Sequence, residues 1–319
     1  MGSVLLILIT LPLTDDLTMT TDTKLHPRNQ HRNGYNFTRL VKHSPELEAF
    51  IRRSPTGQIT IDFHDEQAVR ALNRALLKAH YNINFWDIPA SYLCPPIPGR
   101  VDYIHHLADL LASDNNQMVP RGRNIRVLDI GTGANLVYPL TGQHEYGWHF
   151  TGVDIDPTAI KVAQQICQFN KLNIKLKLQK NPENIFRGVI GSHDFFHITL
   201  SNPPFHASPE AAKKGTQRKW KNLGKGTQNK LNFGGQNAEL WCQGGEVKFI
   251  ATMIEQSVEF AEQCLWFSSL VSKKDNLKPL YKVLEKVKAV EVKTIDMAQG
   301  QKVSRFIAWT FIKKEQRHL

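Results

Sequence analysis

Beyond residue 124, short apolar runs alternate with amphipathic stretches, and this alternation limits the folds that the chain can adopt. Short apolar runs are typical of buried β-strands, and apolar residues three or four positions apart are typical of α-helices. Their alternation indicates strand–helix–strand units, which build an α/β fold. The predicted strands are 125–130, 149–155, 174–179, 195–201, 265–271, 289–295 and 304–311. The predicted helices between them are 158–170, 246–264 and 275–287.

The end of the chain departs from this pattern. No amphipathic stretch separates the predicted strands 289–295 and 304–311, and strands without a crossover helix between them pair antiparallel. We therefore expect a doubly wound, mostly parallel, seven-stranded sheet with an antiparallel last strand. The predicted α/β domain spans 115–313, and residues 314–319 form a tail.

Residues 24–114 are interpreted as a basic, helical extension that precedes the α/β domain. Apolar spacing predicts helices over 66–81 and 101–112. Between them, residues 85–100 contain four prolines. Because proline fixes φ and lacks an N–H donor, we expect this segment to be a stiff, extended connection and neither a helix nor a central strand.

The first 23 residues differ from the rest. Residues 4–13 are apolar, but a membrane-spanning helix needs about 20 such residues. No Lys or Arg precedes Lys24, whereas a secretory signal begins with a basic segment. Met19 opens a polar segment, so we interpret Met19 as the natural start and residues 1–18 as the result of a start codon assigned too far upstream. A degenerate signal or anchor is the alternative.

The four cysteines, Cys94, Cys167, Cys242 and Cys264, are scattered and form neither a CxxC pair nor the Cys/His spacing of a zinc site. The sequence therefore predicts no disulfide framework, no metal site and a reduced, cytoplasmic setting.

The formal net charge of +11 is concentrated in two stretches. Residues 24–53 hold seven basic and two acidic residues, and residues 206–230 hold seven basic residues and one acidic residue. Each stretch could be a solvated face, but together they account for the whole surplus, which favours a partner with a phosphate backbone. The second stretch belongs to a Gly-rich loop, 206–236. The predicted RNA-binding residues are Arg28, Arg32, Lys213, Lys214, Arg218, Lys219, Trp220 and Lys221.

The first strand of the α/β domain leads into a glycine loop, VLDIGTGANLVYPL. Gly131 and Gly133 allow a tight turn with room for a ligand against the backbone, although Leu136 replaces the third glycine of a dinucleotide fingerprint. Asp129 at the strand end would repel a pyrophosphate and suits a ligand that carries an ammonium group. Asp154, at the end of the next strand, lies where an acid accepts hydrogen bonds from ribose hydroxyls.

Together, these features resemble the nucleoside-binding half of the Rossmann-like methyltransferases that use S-adenosyl-L-methionine. An NAD-type oxidoreductase fits them less well. The neighbouring Asp156, followed by Pro157, is interpreted as the N-cap of a helix and not as a ligand-binding group.

The fourth predicted strand ends in SNPPF, at the sheet edge where α/β proteins bind ligands. The Asn202 side-chain oxygen and the Pro203 carbonyl, held in an extended geometry by Pro204, can accept hydrogen bonds from one planar amino group. Phe205 offers a face on which a base can stack. Two acceptors on an exocyclic amine would favour its attack on an activated methyl group without a strong base. A strand-ending turn with no catalytic role is the alternative.

NPPF resembles the motif of methyltransferases that modify amino groups of adenine, cytosine or glutamine. Longer segments resemble the RNA adenine-6-amino methyltransferases, whose members include enzymes that act on 23S rRNA. The segments that carry this resemblance, over residues 24–315, are LHPRN (25–29), WDIPASYLCPPIPGRVDYIHHLADLL (86–111), LDIGTGANLVYPL (128–140), SNPPFH (201–206), LNFGGQNAELWCQGGE (231–246) and AQGQKVSRFIAWTF (298–311).

By this resemblance, Arg100 would bind the methionine carboxylate of S-adenosyl-L-methionine, Gly131 would pack against the methionine and Asp154 would hold the ribose. The family often has Glu at the ribose position, so Asp154 is a small departure. The resemblance also implies that residues 202–205 hold the target adenine and that Asn181 contacts the adenine ring of the cofactor.

The predicted function is therefore methylation of the 6-amino group of an adenosine in 23S rRNA, free or in an assembling large ribosomal subunit. No membrane or metal is expected to take part. A protein-glutamine methyltransferase and a non-catalytic RNA-binding factor are the alternatives. Of the other aromatic residues, Trp86, Trp241 and Trp266 are expected in the core, and His105 and His106 are expected to pack on a helix.

Overall fold

The computed structural model describes residues 25–90, 92–206, 208, 237–299 and 302–317. Its main sheet has seven strands. These are β3 (Arg126–Ile130), β4 (His149–Asp154), β5 (Lys175–Leu178), β6 (Phe196–Ser201), β7 (Cys264–Val271), β8 (Glu291–Gln299) and β9 (Lys302–Thr310). A separate antiparallel hairpin consists of β1 (Ile51–Arg53) and β2 (Ile59–Ile61).

The strand order is β5-β4-β3-β6-β7-β9-β8. Strands β3 to β7 pair parallel, and β9 pairs antiparallel with both β7 and β8. The predicted α/β fold with its mostly parallel sheet and antiparallel last strand is confirmed. The chain reverses direction across the sheet between β3 and β6, which places a ligand-binding crevice at the carboxyl ends of these strands.

The described α-helices are α1 (Phe37–His43), α2 (Glu66–Tyr81), α3 (Ile97–Ala112), α4 (Val137–Tyr146), α5 (Pro157–Phe169), α6 (Asn237–Leu240), α7 (Gly245–Ser257) and α8 (Leu277–Lys286). None of the described helices is long and apolar enough to cross a membrane.

Helix α3 corrects one prediction. It begins at Ile97, so the expectation that all of 85–100 is extended is wrong for its last four positions. The reason is that Pro98 lies in the first turn, where a helix needs no N–H donor and the fixed φ of proline is already helical. Arg100 is consequently held by a helical turn and not by an extended segment.

Helix α4 was missed because its sequence lacks a polar face. Seven of its ten residues are buried, so the apolar periodicity of a surface helix is absent. Gly142 lets the helix approach β4 closely, since a Cβ at this position would overlap the Phe150 ring.

The extension and the α/β domain share one hydrophobic core. Phe37 and Leu72 belong to the same buried cluster as Val127 of β3 and Phe306 of β9. Tyr103 of α3 hydrogen-bonds through its hydroxyl to Ser268 Oγ at 2.8 Å. Residues on both sides of the predicted boundary at 114/115 therefore belong to the same hydrophobic core, although the pattern of secondary structure changes there. Helix α3, which carries Arg100, is part of this core and packs against the sheet.

Candidate active site

A cavity of about 940 Å³ opens at the carboxyl ends of β3, β4 and β6. Ile130, Asp154 and Ser201, the last residues of these strands, line it. Ser201 Oγ donates to the Ile130 carbonyl at 3.0 Å and so joins two strand ends directly. The glycine loop after β3 and the NPP segment after β6 therefore both line one crevice.

The glycine loop is fixed by β4. The N–H groups of Gly131 and Thr132 donate to the Val153 carbonyl at 2.8 and 2.9 Å, and the Gly133 N–H donates to Asp154 Oδ2 at 2.8 Å. Both glycines have positive φ, +76° and +65°. No atom lies within 4 Å of where a Gly131 Cβ would be, so the loop backbone faces open space in the cavity wall.

Asp129 lies behind this loop and is fully buried. Its Oδ2 accepts a hydrogen bond from Thr132 Oγ1 at 2.7 Å, but its Oδ1 has no partner among the described residues. Burial raises the pKa of this carboxyl to about 7, and the nearby Asp154 also raises it. Asp129 is not among the residues that line the cavity, so the charge and the unpaired oxygen of this carboxylate, but not its position in the wall, agree with the ammonium partner that the sequence predicts.

Asp154 projects into the cavity from the end of β4. Its Oδ1 accepts from the Asp156 N–H at 3.0 Å, while its Oδ2 accepts from Gly133. Each oxygen retains a lone pair for a ribose hydroxyl. Burial raises the pKa of Asp154. Asp156 caps α5 by accepting from the Thr158 N–H at 2.8 Å, which confirms the predicted N-cap, and it also accepts from the Tyr92 hydroxyl at 2.5 Å. Asp156 nevertheless lines the cavity.

Arg100 lines the cavity near the glycine loop. Its guanidinium donates to the Tyr138 hydroxyl at 3.1 Å and lies over the Tyr138 ring, 5.7 Å from the centroid. These contacts leave further N–H donors for a carboxylate. The predicted role of Arg100 is compatible with this position.

The structure places Asn181 outside the cavity wall. Its Oδ1 accepts from the Glu183 N–H at 3.0 Å, and its own N–H donates to Gln179 Oε1 at 3.0 Å, so it shapes a turn. Gln179 and Ile185 form this part of the wall instead. The position of Gln179 directly after β5 was the only signal that the sequence offered.

Asn202, Pro203 and Pro204 line the same cavity as the glycine loop. Asn202 Oδ1 is buried and has no hydrogen-bond partner among the described residues. Phe205 follows at the surface with 44 % of its area exposed and is not among the wall residues. The NPP segment thus offers an acceptor toward the cavity, and the phenyl ring lies at its edge.

Trp241 corrects a second prediction, since it lines the cavity and does not lie in the core. Trp86 and Trp266 are buried as expected. Glu239 was also missed: it lines the cavity, and its Oε2 accepts from the Leu93 N–H at 2.9 Å. Both residues come from LNFGGQNAELWCQGGE, a segment that supported the resemblance without indicating which side chains face a ligand.

Comparison with known proteins adds to this geometry. A family model described as RNA methyltransferase matches residues 19–313. The chain belongs to this RNA methyltransferase family. It is 64 % identical over 298 residues to the ribosomal RNA large subunit methyltransferase F of Pseudoalteromonas translucida (strain TAC 125), covering 93 % of this chain and 96 % of the relative. The protein of the same name from Pseudomonas savastanoi pv. phaseolicola (strain 1448A / Race 6) is 55 % identical, with 92 % and 91 % covered.

Solved structures of human METTL16 have the same fold as this RNA methyltransferase. The catalytic domain in complex with MAT2A 3'UTR hairpin 1 matches with a TM-score of 0.77 and 27 % identity, covering 90 % of this chain and 96 % of that one. The N-terminal domain in complex with SAH matches with a TM-score of 0.71 and 25 % identity, covering 91 % and 99 %. The predicted enzyme class is confirmed, and the protein-glutamine and non-catalytic alternatives are not favoured.

Two of the predicted RNA-binding residues of the methyltransferase lie within the described part. Arg28 lies at the surface, but its guanidinium is engaged within the protein: it donates to Asp109 Oδ1 at 2.6 Å, to the Tyr146 hydroxyl at 2.9 Å and to the His105 carbonyl at 3.0 Å. Arg32 is exposed on the same segment. Residues 1–23 and the predicted loop residues Lys213, Lys214, Arg218, Lys219, Trp220 and Lys221 lie outside the described residues.

Proposed function

We propose that this RNA methyltransferase transfers a methyl group from S-adenosyl-L-methionine to the 6-amino group of an adenosine in 23S rRNA. The observation that carries the proposal is the buried Asn202 Oδ1, which has no partner among the described residues, in a residue that lines the same cavity as the glycine loop. Two relatives at 64 % and 55 % identity are named ribosomal RNA large subunit methyltransferase F, which supports the choice of RNA. The enzyme would act in the cytoplasm on free rRNA or on an assembling large subunit.

The residues around the glycine loop fit the proposed cofactor. Asp129 Oδ1 lacks a partner that an ammonium would provide, Asp154 has lone pairs for ribose hydroxyls, and Arg100 has donors for a carboxylate. The open space beside Gly131 leaves room for the methionine chain. When bound, S-adenosyl-L-methionine supplies a methyl group on a sulfonium, a good leaving group.

The NPP segment would orient the amino group of the target adenine. Asn202 Oδ1 and the Pro203 carbonyl would accept the two hydrogens of the adenine amino group, which turns its nitrogen lone pair out of conjugation with the ring. As the new N–C bond forms, positive charge develops on the nitrogen, and the same two acceptors stabilise it. The methylated, cationic nitrogen is acidic and releases its surplus proton to water, so the reaction needs positioning and electrostatic stabilisation and no strong base.

The adenosine must be unpaired or flipped out to reach this pair of acceptors, because an amino group within a stacked duplex cannot approach the cofactor. Extrusion of a base costs a few kcal/mol, and contacts around the flipped nucleotide offset that cost. Phe205, 44 % exposed at the edge of the cavity, would stack on the target or on a neighbouring base.

We also propose that the basic stretches bind RNA phosphates. In the described part, the β1–β2 hairpin carries Arg52 and Arg53 beside a surface cleft of about 590 Å³ that Phe63 and His64 also line. Arg28 would contribute indirectly by anchoring the segment that presents Arg32. The loop residues 213–221 would bind RNA next to the NPPF motif.

Mass-spectrometric mapping of N6-methyladenosine in 23S rRNA tests this function, with rRNA from cells that contain or lack the protein. The proposal expects one adenosine whose methylation depends on the protein. In parallel, purified protein with labelled S-adenosyl-L-methionine should label protein-free 23S rRNA or isolated large-subunit precursors in an RNase-sensitive manner. Identical methylation in both cell types, or RNase-resistant labelling of a protein, would contradict the proposal.

A further inference from the structure

The Trp241 indole has no hydrogen-bond partner for its Nε1–H among the described residues, and this nitrogen is buried. The other described tryptophans all donate. Trp86 bonds to the Asn135 carbonyl at 2.9 Å, Trp148 to the Pro120 carbonyl at 2.9 Å, Trp266 to Asp114 Oδ2 at 2.6 Å and Trp309 to Ser257 Oγ at 2.9 Å. A buried donor without a partner is unfavourable, so the exception indicates a donor that a ligand satisfies.

Backbone pairing fixes the position of Trp241 beside the NPPF motif. Trp241 and His206 form a parallel β-bridge. The His206 N–H donates to the Leu240 carbonyl at 3.1 Å, and the Cys242 N–H donates to the His206 carbonyl at 3.0 Å. His206 directly follows Phe205, so the segment bearing Trp241 runs alongside the segment that bears Asn202. Trp241 and Asn202 line the same cavity.

These two residues offer complementary groups. Asn202 Oδ1 is an unpaired acceptor, and Trp241 Nε1–H is an unpaired donor. On each edge of adenine that carries the 6-amino donor, a ring nitrogen acceptor lies next to it, N1 on one edge and N7 on the other. Guanine presents an acceptor oxygen in place of the amine, so its O6 would face the Asn202 oxygen. An acceptor at Asn202 and a donor at Trp241 that both reach one base would therefore select adenine over guanine.

We propose that Trp241 donates its indole N–H to the ring nitrogen beside the target amino group and so reads the base as adenine. This inference rests on the proposed function, since it concerns the base bound at Asn202. Trp241 acts as a base-reading residue: it fixes the rotation of the ring and thereby aims the amino nitrogen at the methyl group.

The test replaces one ring nitrogen of the target at a time. A fragment of 23S rRNA that contains the mapped adenosine is prepared with adenosine, 1-deazaadenosine or 7-deazaadenosine at that position. For the wild-type enzyme, one of the two analogues should lower kcat/KM by about tenfold, which is the loss of a hydrogen bond worth ~1.4 kcal/mol. The Trp241→Phe variant keeps an aromatic ring and lacks the N–H.

For Trp241→Phe, kcat/KM with adenosine should fall by a similar factor, and the same analogue should then react within about twofold of adenosine. Trp148→Phe is the matched control, because it removes an indole N–H that bonds outside the cavity; its analogue ratio should equal the wild-type ratio. Both variants should bind S-adenosyl-L-homocysteine with wild-type affinity in calorimetry, which would show that the cofactor-binding residues are intact.

The outcomes separate the inference from the proposed function. Wild-type discrimination retained in Trp241→Phe, or no discrimination by the wild-type enzyme between adenosine and either analogue, would overturn the role of Trp241 alone. A wild-type enzyme that does not methylate adenosine in the fragment or in intact 23S rRNA would overturn the proposed function and this inference together.

Discussion

The two sides of the active-site cavity differ in how their polar groups are held. On the glycine-loop side, β4 fixes the backbone through Val153 and Asp154, and among the described residues Asp129 Oδ1, buried behind the loop, lacks a partner. On the NPPF side, Asn202 Oδ1 and Trp241 Nε1 both lack partners among the described residues. The first side is thus preorganised by the sheet, whereas the second leaves both a donor and an acceptor for the substrate to satisfy.

This difference has a consequence for variants. Substitutions on the glycine-loop side should change cofactor affinity, and substitutions on the NPPF side should change methyl transfer while cofactor affinity stays the same. If variants on both sides change cofactor affinity and methyl transfer together, the two sides act as one unit.

The largest effect is expected for Asn202→Ala. It removes one of the two acceptors that stabilise the developing positive charge, so kcat should fall by about 100-fold or more. Binding of S-adenosyl-L-homocysteine, measured by calorimetry, should remain within about threefold of wild type because Asn202 has no contact with the glycine loop. A comparable loss of cofactor affinity would contradict the separation of the two sides.

Gly131→Ala should weaken cofactor binding by about tenfold. An alanine at φ +76° is strained by roughly 1–2 kcal/mol, and its methyl group would occupy the open space beside the loop. Gly57→Ala is the matched control, since Gly57 has φ +81° and equally free surroundings but lies in the β1–β2 hairpin. It should lower thermal stability similarly and leave cofactor affinity unchanged; equal loss of affinity in both variants would refute the assignment of Gly131.

Asp129 predicts opposite pH trends for stability and for ligand binding. Burial raises its pKa to about 7, above the ordinary value of 3.8, so the folded protein without ligand keeps a proton that the unfolded chain loses. The stability from this group is fully present below pH 3.8 and decreases as the pH rises through about 7. An ammonium ligand needs the charged carboxylate, so cofactor affinity should increase over the pH interval up to and around 7.

Asp129→Asn removes both trends. Its melting temperature should exceed that of the wild type by a few degrees at pH 8, with the difference vanishing toward pH 4. Its affinity for S-adenosyl-L-homocysteine at pH 8 should be about tenfold weaker and nearly independent of pH. Thermal melts and calorimetry over this range check both points, and a wild-type affinity that falls with rising pH would contradict the ammonium assignment.

The smallest effects concern the RNA surface. Neutralising Lys213, Lys214, Arg218, Lys219 and Lys221 should raise the RNA Kd and flatten its dependence on salt, by about 0.7 per lost phosphate contact with single-stranded RNA. Arg52→Gln with Arg53→Gln should act in the same direction by only a few-fold. Lys286→Gln, on the exposed end of α8, is the control and should leave the slope unchanged. Unchanged slopes in the other variants would remove these residues from the RNA interface.

The sheet was predictable because its central strands are short apolar runs with clear ends, while the edge strands β5 and β8 alternate apolar and polar residues. The glycine loop and NPPF were predictable because each directly follows such a strand. Helix α4 was not, since burial on most sides removes the periodicity by which surface helices are recognised. Gly142, inside that helix, looks like a breaker in the sequence and is a packing contact in the structure.

The wall residues distant in sequence were harder to predict. Trp241 is a large aromatic residue of the kind that usually packs in a core. Its β-bridge to His206 places it at the cavity instead. Asn181 follows a strand end as a ligand-binding residue would, yet its side chain caps a turn, and the neighbouring Gln179 lines the cavity instead. Tertiary pairing brings Trp241 to the cavity, whereas hydrogen bonds within its own turn keep Asn181 out of the wall. Neither contact follows from the apolar periodicity of the sequence.

A crystal structure with S-adenosyl-L-homocysteine and an adenosine-containing RNA fragment tests the account most directly. It should show the adenine amino group within about 3 Å of both Asn202 Oδ1 and the Pro203 carbonyl, with the cofactor sulfur on the glycine-loop side. An Asn202 side chain turned away from the cavity, or an adenine bound with its amino group elsewhere, would contradict the account.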